Sequence, residues 1–477
     1  MNIADAAIEG TARLLHDGGP LCYDEGMKRL LPLLAAAALL AGCASAPPAP
    51  EAVDFRDTIE TAQRAVFPAL AYIRVVRKDL SSGKDEKGVV SGSGVVITPE
   101  GELLTNHHVI DKAEEIRCLL TDGSSYPATV LGFDQDLDVA LLKLERPADA
   151  APLPFAELSP DTVQIGDVVL AMGAPWGLAR SVSMGIVSCN DRFLEDCGDY
   201  TLWYQTDAAI SPGNSGGPLV DTDGLVVGLN ARGNLFGDQA FTIPSETILE
   251  ILPDLRKYGE AHWAWFGFKL QPLEDFKRNI RFDAKEGALV ADVEPGSPAE
   301  KAGLKSNDLL LSVDEVKTTA RFWEDIPAIE RHLGRREFEK PCKFKVVRDG
   351  KDLEIAVAPT EKGKVEGEEF ACGRWGLTAK EINRFYNPDL IFFVPEGGVY
   401  VSGLAWDGNA DSCGFRENDI IVSIGGKSVK TVAEVKALYE ESIAKLEEKT
   451  RLPFVVLRRG RRTTLVLDYT EDTEEED

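Results

Sequence analysis

Three short stretches hold residue types that could act together on a carbonyl group. The first, "DAAISPGNSGGPLV" (Asp207 to Val220), sets Ser215 among small residues. A serine that attacks a carbonyl needs a tight turn that exposes its hydroxyl and aims backbone N–H groups at the oxyanion that forms. Gly213, Asn214, Ser215, Gly216 and Gly217 supply such a turn, because glycine adopts backbone angles closed to other residues. The amides of Gly213 and Ser215, on either side of Asn214, are the expected oxyanion hole. A serine nucleophile also needs a base, and the base needs an orienting carboxylate. "TNHHVI" (Thr105 to Ile110) offers His107 and His108, two of only five histidines in the chain. Alternation along a strand sends neighbouring side chains to opposite sides, so at most one of the pair should face Ser215. Spacing alone does not say which. "DQDLDVALLKL" places Asp138 directly before an apolar strand, with Asp134 and Asp136 close by.

The elements that must position these groups read as all-β. Between about residues 57 and 258, short apolar runs such as "GSGVVI", "GDVVLAMG" and "GLVVGLN" alternate with Gly, Asp and Pro. That pattern fits a barrel or sandwich and not βαβ units. The chain order His, Asp, Ser is that of chymotrypsin-like proteases. It suits a double β-barrel with His and Asp on the first half and Ser on the second. "SETILEILPDLRKYG" (Ser245 to Gly259) has a Ser cap, helical apolar spacing and a terminal Gly, which predicts a closing helix. Beyond it lies a weak repeat: Gly287 to Val316 parallels Gly397 to Val429, each running strand, short helix, Gly turn, Asn-Asp, strand. Two copies imply two mixed α/β modules of one fold. "GGKS" (Gly425 to Ser428) imitates the end of a phosphate-binding loop, but Ile421 stands where its first glycine belongs, so a hairpin turn is expected.

The chain of 477 residues is long enough for two to four domains. Its formal net charge of -27 argues against nucleic acid, whose phosphates need a basic surface. The terminal "EDTEEED" (Glu471 to Asp477) reads as a solvated acidic tail. From Met27 the sequence has a basic start (Lys28, Arg29), an apolar run (Leu30 to Leu40) too short to span a bilayer, and then Leu40-Ala41-Gly42-Cys43. This resembles the lipobox of bacterial lipoproteins, which implies lipidation of Cys43 and, with Ala44 next, an outer-membrane anchor. Residues 1–26 are acidic and polar, so translation is expected to start at Met27; residues 27–42 form the signal and 43–56 a Pro/Ala-rich tether. Among the cysteines, Cys118 and Cys342 sit in alternating patterns and should be buried thiols. Cys189 and Cys197 bracket a loop and suit a disulfide in an oxidising compartment. No Cys/His spacing suggests a metal site.

Taken together, "SGSGVVI", "TNHHV", "DLDVALLKL", "QTDAAISPGNSGGPLV", "VVGLNARG" and "AFTIPSE" resemble the HtrA/Deg family of bacterial serine proteases over roughly residues 57–470. The resemblance implies a protease domain (57–259) followed by two PDZ domains (260–365 and 366–470). By position in the motifs it implies His108 as base, Asp138 as orienting carboxylate and Ser215 as nucleophile; Asp134 and Asp136 are then solvated loop residues and His107 a neighbouring loop or surface side chain. Ala209 stands where trypsin-type enzymes place an acid, so cleavage after Lys or Arg is not expected. Ile210 and Leu229 suggest a small apolar specificity pocket. Ser211 in place of the usual Asn, "GAPWG" in place of "GNPFG", and Ala240 in place of Gly depart from the family pattern without removing a catalytic group.

A PDZ domain binds a peptide C-terminus by strand addition, with backbone N–H groups of a Gly-containing loop on the carboxylate. Phe266, Gly267 and Phe268 form the expected loop of the first module, and Trp375, Gly376 and Leu377 that of the second. The resulting expectation is a lipid-anchored endopeptidase of the bacterial envelope, on the periplasmic face. It would act on unfolded or misfolded proteins without cofactor or metal. The family resemblance adds homotrimers or larger assemblies. The alternatives are a site-specific regulatory protease and a chaperone or peptide-binding scaffold with secondary proteolysis.

Overall fold

A computed structural model describes residues 55–174, 181–195, 197, 200–233, 239–274 and 284–471. The expected signal segment, Cys43, all but the last two residues of the tether and all but the first residue of the acidic tail lie outside these residues. The chain falls into two units, Met1–Asp57 and Thr58–Asp477. Helix α1 (Phe55–Val66) begins in the first, and everything that follows concerns the second.

Two closed barrels come first. β1 (Leu70–Asp79), β2 (Glu86–Val96), β3 (Glu102–Thr105), β4 (Ala113–Leu120), β5 (Ser125–Asp134) and β6 (Val139–Leu144) close in the order β1-β2-β3-β6-β5-β4. β7 (Val168–Gly173), β8 (Ser181–Arg192), β9 (Trp203–Thr206), β10 (Pro218–Val220), β11 (Val226–Gly233) and β12 (Ala240–Pro244) close in the order β10-β11-β12-β9-β8-β7. Period-two patterning builds them: in β4, Ile116, Cys118 and Leu120 are buried while Glu115, Arg117 and Leu119 are exposed. Closure removes the sheet edges that would otherwise invite pairing with other chains. Cys118 is thus a core thiol, its pKa pushed by burial up to about 12, and Cys342 is likewise pushed up to about 11; neither is reactive near neutral pH.

The one-turn helix α2 (His107–Ile110) follows β3, and α3 (Ser245–Tyr258) closes the barrels. Gly259 caps α3 in the left-handed conformation, as expected. Ser245 does not cap it: Pro244 is the N-cap, and the Ser245 hydroxyl donates to the Ser159 carbonyl at 2.6 Å. The helix end sits so close to β5 that a Cβ on Gly132 would lie 2.6 Å from the Leu255 carbonyl oxygen.

Two modules follow. In the first, the short strands β13 (Ala264–Trp265) and β20 (Thr360–Glu361) pair as a stem. β14 (Phe268–Gln271), β15 (Ala288–Val293), β16 (Leu309–Val313), β17 (Val316–Lys317), β18 (Cys342–Arg348) and β19 (Lys351–Val357) form one sheet with α4 (Pro298–Ala302) and α5 (Ile326–Gly334). In the second, β21 (Glu369–Cys372), β22 (Leu377–Glu381), β23 (Val399–Leu404), β24 (Ile420–Ile424), β25 (Lys427–Ser428), β26 (Arg451–Arg458) and β27 (Arg461–Asp468) accompany α6 (Pro388–Ile391), α7 (Asn409–Ser412) and α8 (Val432–Ala444). "GGKS" is the hairpin joining β24 and β25.

The repeat has a physical signature. Arg348 grips both carboxylate oxygens of buried Asp308 at 2.6 Å and donates to the Gly303 carbonyl at 2.8 Å. Arg458 does the same with Asp419 at 2.6 Å and Gly414 at 2.8 Å. The Asn-Asp pair seen in both copies is therefore an anchor for a forked arginine. Asp308→Ala and Asp419→Ala each remove the acceptor and leave a guanidinium unpaired. Each should lower unfolding free energy by about 3 kcal/mol, read from urea unfolding, with the loss confined to the module concerned.

Candidate active site

Asp138 and His108 meet at the mouth of the first barrel. The Asp138 carboxylate takes His108 Nδ1 at 2.7 Å on Oδ2 and the His108 backbone N–H at 2.9 Å on Oδ1. That grip fixes ring orientation and leaves Nε2 as the imidazole's other nitrogen. The Asp138 carbonyl accepts from Asn106 Nδ2 at 3.0 Å and from the His107 N–H at 3.2 Å. Asp138 is buried, whereas the His108 side chain is 47% exposed; the ring opens on solvent and its partner does not.

Ser215 approaches from the second barrel. Gly213 and Gly216 stand at φ +98° and +82°, a region that favours glycine. A Cβ on Gly216 would lie 2.2 Å from Thr105 Oγ1 and 2.3 Å from the Ser93 carbonyl oxygen, so the turn passes directly against the loop before the histidines. Asn230 on β11 braces it: the Asn230 carbonyl accepts the Gly216 N–H and the Gly217 carbonyl accepts the Asn230 N–H, both at 2.8 Å. The Ser215 hydroxyl donates to the Ala231 carbonyl at 3.3 Å and not to His108.

A residue that sequence reasoning passed over sits at the centre of this seam. Ser93, on β2 and fully buried, donates its hydroxyl to the Gly213 carbonyl at 2.6 Å and accepts the Ala174 N–H at 2.8 Å. Its own N–H donates to the Ser215 carbonyl at 2.8 Å, and its carbonyl accepts the Thr105 hydroxyl at 2.8 Å. One serine thus ties the Ser215 turn to the histidine loop. Its signal in the sequence was the motif "SGSGVVI", which fixes position but not role.

Several expectations need correction. Leu229 is fully buried in the core between Pro218 and Ile243 and cannot line an open pocket; Ala209 is exposed and Ile210 half-buried. His107 is not a surface side chain. It packs on Phe133, with ring centroids 4.8 Å apart and planes tilted by 32°, and faces a cavity of about 440 Å³ whose wall includes Asp136, Trp263 and Lys362. Burial lowers its pKa below the ordinary imidazole value. Asp134 and Asp136 are not solvated. Asp134 accepts the Leu137 N–H and Trp263 Nε1, both at 2.7 Å, and Asp136 holds the Lys362 ammonium at 2.8 and 2.9 Å. Cys189 and Cys197 are unbridged, the Cys189 thiol donating to the Asp191 carboxylate at 3.0 Å. Among the described residues no group of three His, Cys, Asp or Glu side chains is set to hold a metal ion.

The two module loops differ. In the first, Phe266 packs on Phe344 and Gly267 takes φ +78°. β14, which follows, pairs with β15 and lies at the edge of its sheet. In the second, β22 has β23 on one side and β21 on the other, with Ala371 opposite Thr378 and Cys372 opposite Leu377. Phe370 of β21 packs edge-on against Tyr439 of α8. Trp375, Gly376 and Leu377 are buried, and Trp375 is a core side chain whose indole donates to Ser442 at 3.1 Å. Residues of the β1–β2 loop cover them: the Leu80 carbonyl accepts the Thr378 hydroxyl at 2.5 Å, and a Cβ on Gly83 would lie 2.8 Å from the Gly376 carbonyl oxygen. The expected carboxylate loop of the second module is not open.

Comparison with known proteins gives the same architecture. Residues 92–229 match a trypsin-like peptidase domain, and residues 265–358 and 400–446 each match a PDZ domain. The chain is 33% identical over 395 residues to a periplasmic serine endoprotease DegP-like of Hahella chejuensis, covering 79% of this chain and 80% of that protein. The corresponding protein of Marinomonas sp. is 34% identical over 379 residues, 77% of each chain. Among solved structures, the HtrA-type protease AlgW with tripeptide has a TM-score of 0.57 at 29% identity, covering 64% of this chain and 97% of that one. The same protease with decapeptide has a TM-score of 0.54 at 27% identity, covering 64% and 99%.

Two outcomes follow from this geometry. Ser93→Ala strips the hydroxyl that donates to the Gly213 carbonyl in the Ser215 turn and accepts the Ala174 N–H. It should lower kcat on a short peptide by about 10–10²-fold, since small misplacements of reacting groups are costly; steady-state kinetics on protein of unchanged far-UV spectrum is the measurement. Burial, and then repulsion from Asp136, raises the Asp134 carboxyl from 3.8 to about 6, against the pull of the Leu137 and Trp263 N–H groups and Lys362. Between those values the folded chain holds a proton that the unfolded chain has lost, so this group's contribution to stability falls as pH rises across the window. The melting temperature of wild type relative to Asp134→Asn should therefore decline from pH 4 to pH 6.

Proposed function

The chain belongs to the DegP-like, HtrA-type serine endoproteases, and from that premise we propose that His108, Asp138 and Ser215 are its catalytic triad. The observation that carries the proposal is the two-point grip of Asp138 on His108, set across the seam from a serine in a glycine-shaped turn. Asp138 holds the ring in one tautomer and stabilises its cationic form. The Ser215 hydroxyl, resting on the Ala231 carbonyl, turns about χ1 to give its proton to His108 as Oγ attacks the scissile carbonyl. Apo hydrogen bonds of this kind commonly form only once substrate is bound. The amides of Gly213 and Ser215, flanking Asn214, receive the oxyanion, and His108 returns the proton to the leaving amine. Ala209 and Ile210 favour a small apolar residue before the cleaved bond.

On this reading the working context is the periplasm, as the relatives' names support, with Cys43 as lipid anchor to the outer membrane. The substrates are unfolded or misfolded proteins, and assembly as trimers or larger is carried over from the family resemblance. The domain limits are 57–259, 260–365 and 366–470. Peptide C-termini add to β14 of the first PDZ domain, whose edge is available. The second PDZ domain is structural, because β21 already pairs where such a peptide would lie.

Casein hydrolysis tests the assignment. Ser215→Ala and His108→Ala should each lose about 10⁴-fold or more in kcat, while His107→Ala retains most activity. Equal hydrolysis by wild type and Ser215→Ala would end the reading. Gly267→Val places a side chain where Ser297 Cβ stands 2.2 Å away. It should abolish calorimetric binding of a peptide with an apolar C-terminus to the full-length protein, and retained binding would remove the first PDZ domain as receptor.

A further inference from the structure

The turn that carries Asp138 is held from outside the protease barrels. Asp138 has φ +56°, a left-handed backbone that costs a non-glycine residue about 1–2 kcal/mol. Such a conformation persists only where the surroundings over-determine it. Asp134, at the start of the turn, uses one carboxylate oxygen for the Leu137 N–H, immediately before Asp138, and the other for the indole N–H of Trp263, both at 2.7 Å. Trp263 is the residue at which the chain enters the stem of the first PDZ domain. Asp136, in the middle of the turn, takes the ammonium of Lys362, the residue at which the chain leaves that stem. The Lys362 N–H donates to the Trp263 carbonyl at 2.8 Å, so entry and exit are joined to each other as well as to the turn.

This clamp is braced. Trp263, Asp134 and Lys362 are all buried. The Trp263 indole lies flat on Tyr200, with 4.0 Å between ring centroids and an interplanar angle of 2°. The guanidinium of Arg335 caps the other side of the system, 4.4 Å from the Trp263 ring. Arg335 directly follows α5 and is itself paired with Glu250 and Asp254 of α3.

We propose that Trp263 and Lys362 are positioning residues for peptide hydrolysis: they hold the Asp134–Asp138 turn in the shape that sets Asp138 against His108. The inference rests on the triad reading above. It makes the first PDZ domain a structural part of the catalytic centre in addition to any receptor role. Neither residue touches the reacting atoms. Removing either leaves a carboxylate of the turn without its donor, and the turn is then free to relax from its strained form. Asp138 would then fix the ring less well and stabilise its cation less. A clamp acts on every substrate, including those too short to reach the PDZ groove, whereas recruitment acts only on long ones.

The test uses the full-length protein and a short fluorogenic peptide with Val before the cleaved bond. Trp263→Phe keeps an aromatic ring for stacking and removes the donor; Lys362→Met keeps the stem and removes the charge. Each should lower kcat about tenfold at unchanged KM and move the acidic limb of the kcat/KM profile to lower pH, because the His108 cation is less stabilised. The double variant should lose less than the product of the two, since both act on one turn. Wild-type kcat and an unmoved limb in both variants would overturn the proposal. So would a kcat loss that matches the loss of folded, active-site-titratable protein with no movement of the limb. The same peptide with wild type and Ser215→Ala decides the triad reading independently: hydrolysis lost only in Ser215→Ala upholds the triad whatever the stem variants do.

Discussion

A nucleophile on one β-barrel and a base on another can react only if the seam between them is fixed within a fraction of an ångström. In this protein the seam is fixed by buried hydrogen bonds of the Ser93 hydroxyl and backbone, which join Gly213, Ser215, Ala174 and Thr105. Each bond contributes roughly 0.5–1.5 kcal/mol net, but leaving its partner buried and unmatched costs more. The arrangement is therefore stiff in the sense that matters for catalysis: sliding one barrel on the other strands several polar groups at once. Gly216 completes it, since the turn could not approach Thr105 so closely with any side chain present.

The same accounting governs the Asp138 turn. The barrel supplies the strands on either side, β5 and β6, and the Leu137 N–H for Asp134, but not the indole that takes the other Asp134 oxygen or the ammonium that takes Asp136. Those come from the ends of the first PDZ stem, so the turn that carries Asp138 is held by a segment far along the chain. The helix beside the stem is pinned to α3 through Arg335, and α3 packs its C-terminal end on β5. Protease and first PDZ domain thus share one continuous polar and aromatic boundary. The second PDZ domain meets the protease differently, through the β1–β2 loop and the Lys112–Glu369 pair at 2.6 Å. Two copies of one fold share the same Asp–Arg fork but differ at one sheet edge: among the described residues β14 is the edge strand of its sheet, whereas β22 is covered by β21.

Much of this was legible from residue order. The His-Asp-Ser succession, the apolar alternation and the repeated Asn-Asp pair pointed to double barrel, triad and twin modules, and the peptidase and PDZ matches agree with that architecture. Local signals misled where a partner is distant. Asp134 and Asp136 look like loop carboxylates until Trp263 and Lys362, 129 and 226 residues away, are brought to them. Ser245 has the composition of a helix cap, yet its hydroxyl is drawn to Ser159 across 86 residues. Leu229 pairs with Pro218, close to Ser215 in the chain, but lies in a stretch of β11 that is buried at every residue from Val226 to Ala231.

By itself the sequence determined which groups are present and in what order: one turn able to expose a serine, two histidines, three carboxylates before an apolar strand, and two loops with a glycine among aromatic and apolar residues. Motif order and period-two patterning are local properties, and they survive being read in one dimension. What only the tertiary structure decided was which side chains share a space. It sent His108 to Asp138 and His107 to Phe133, placed Ser93 at the seam, and closed the second PDZ loop under Leu80 and Gly83. The reason is physical: buried polar groups must find partners, and in a chain of this length those partners are chosen by the meeting of distant strands and loops, which no local pattern encodes.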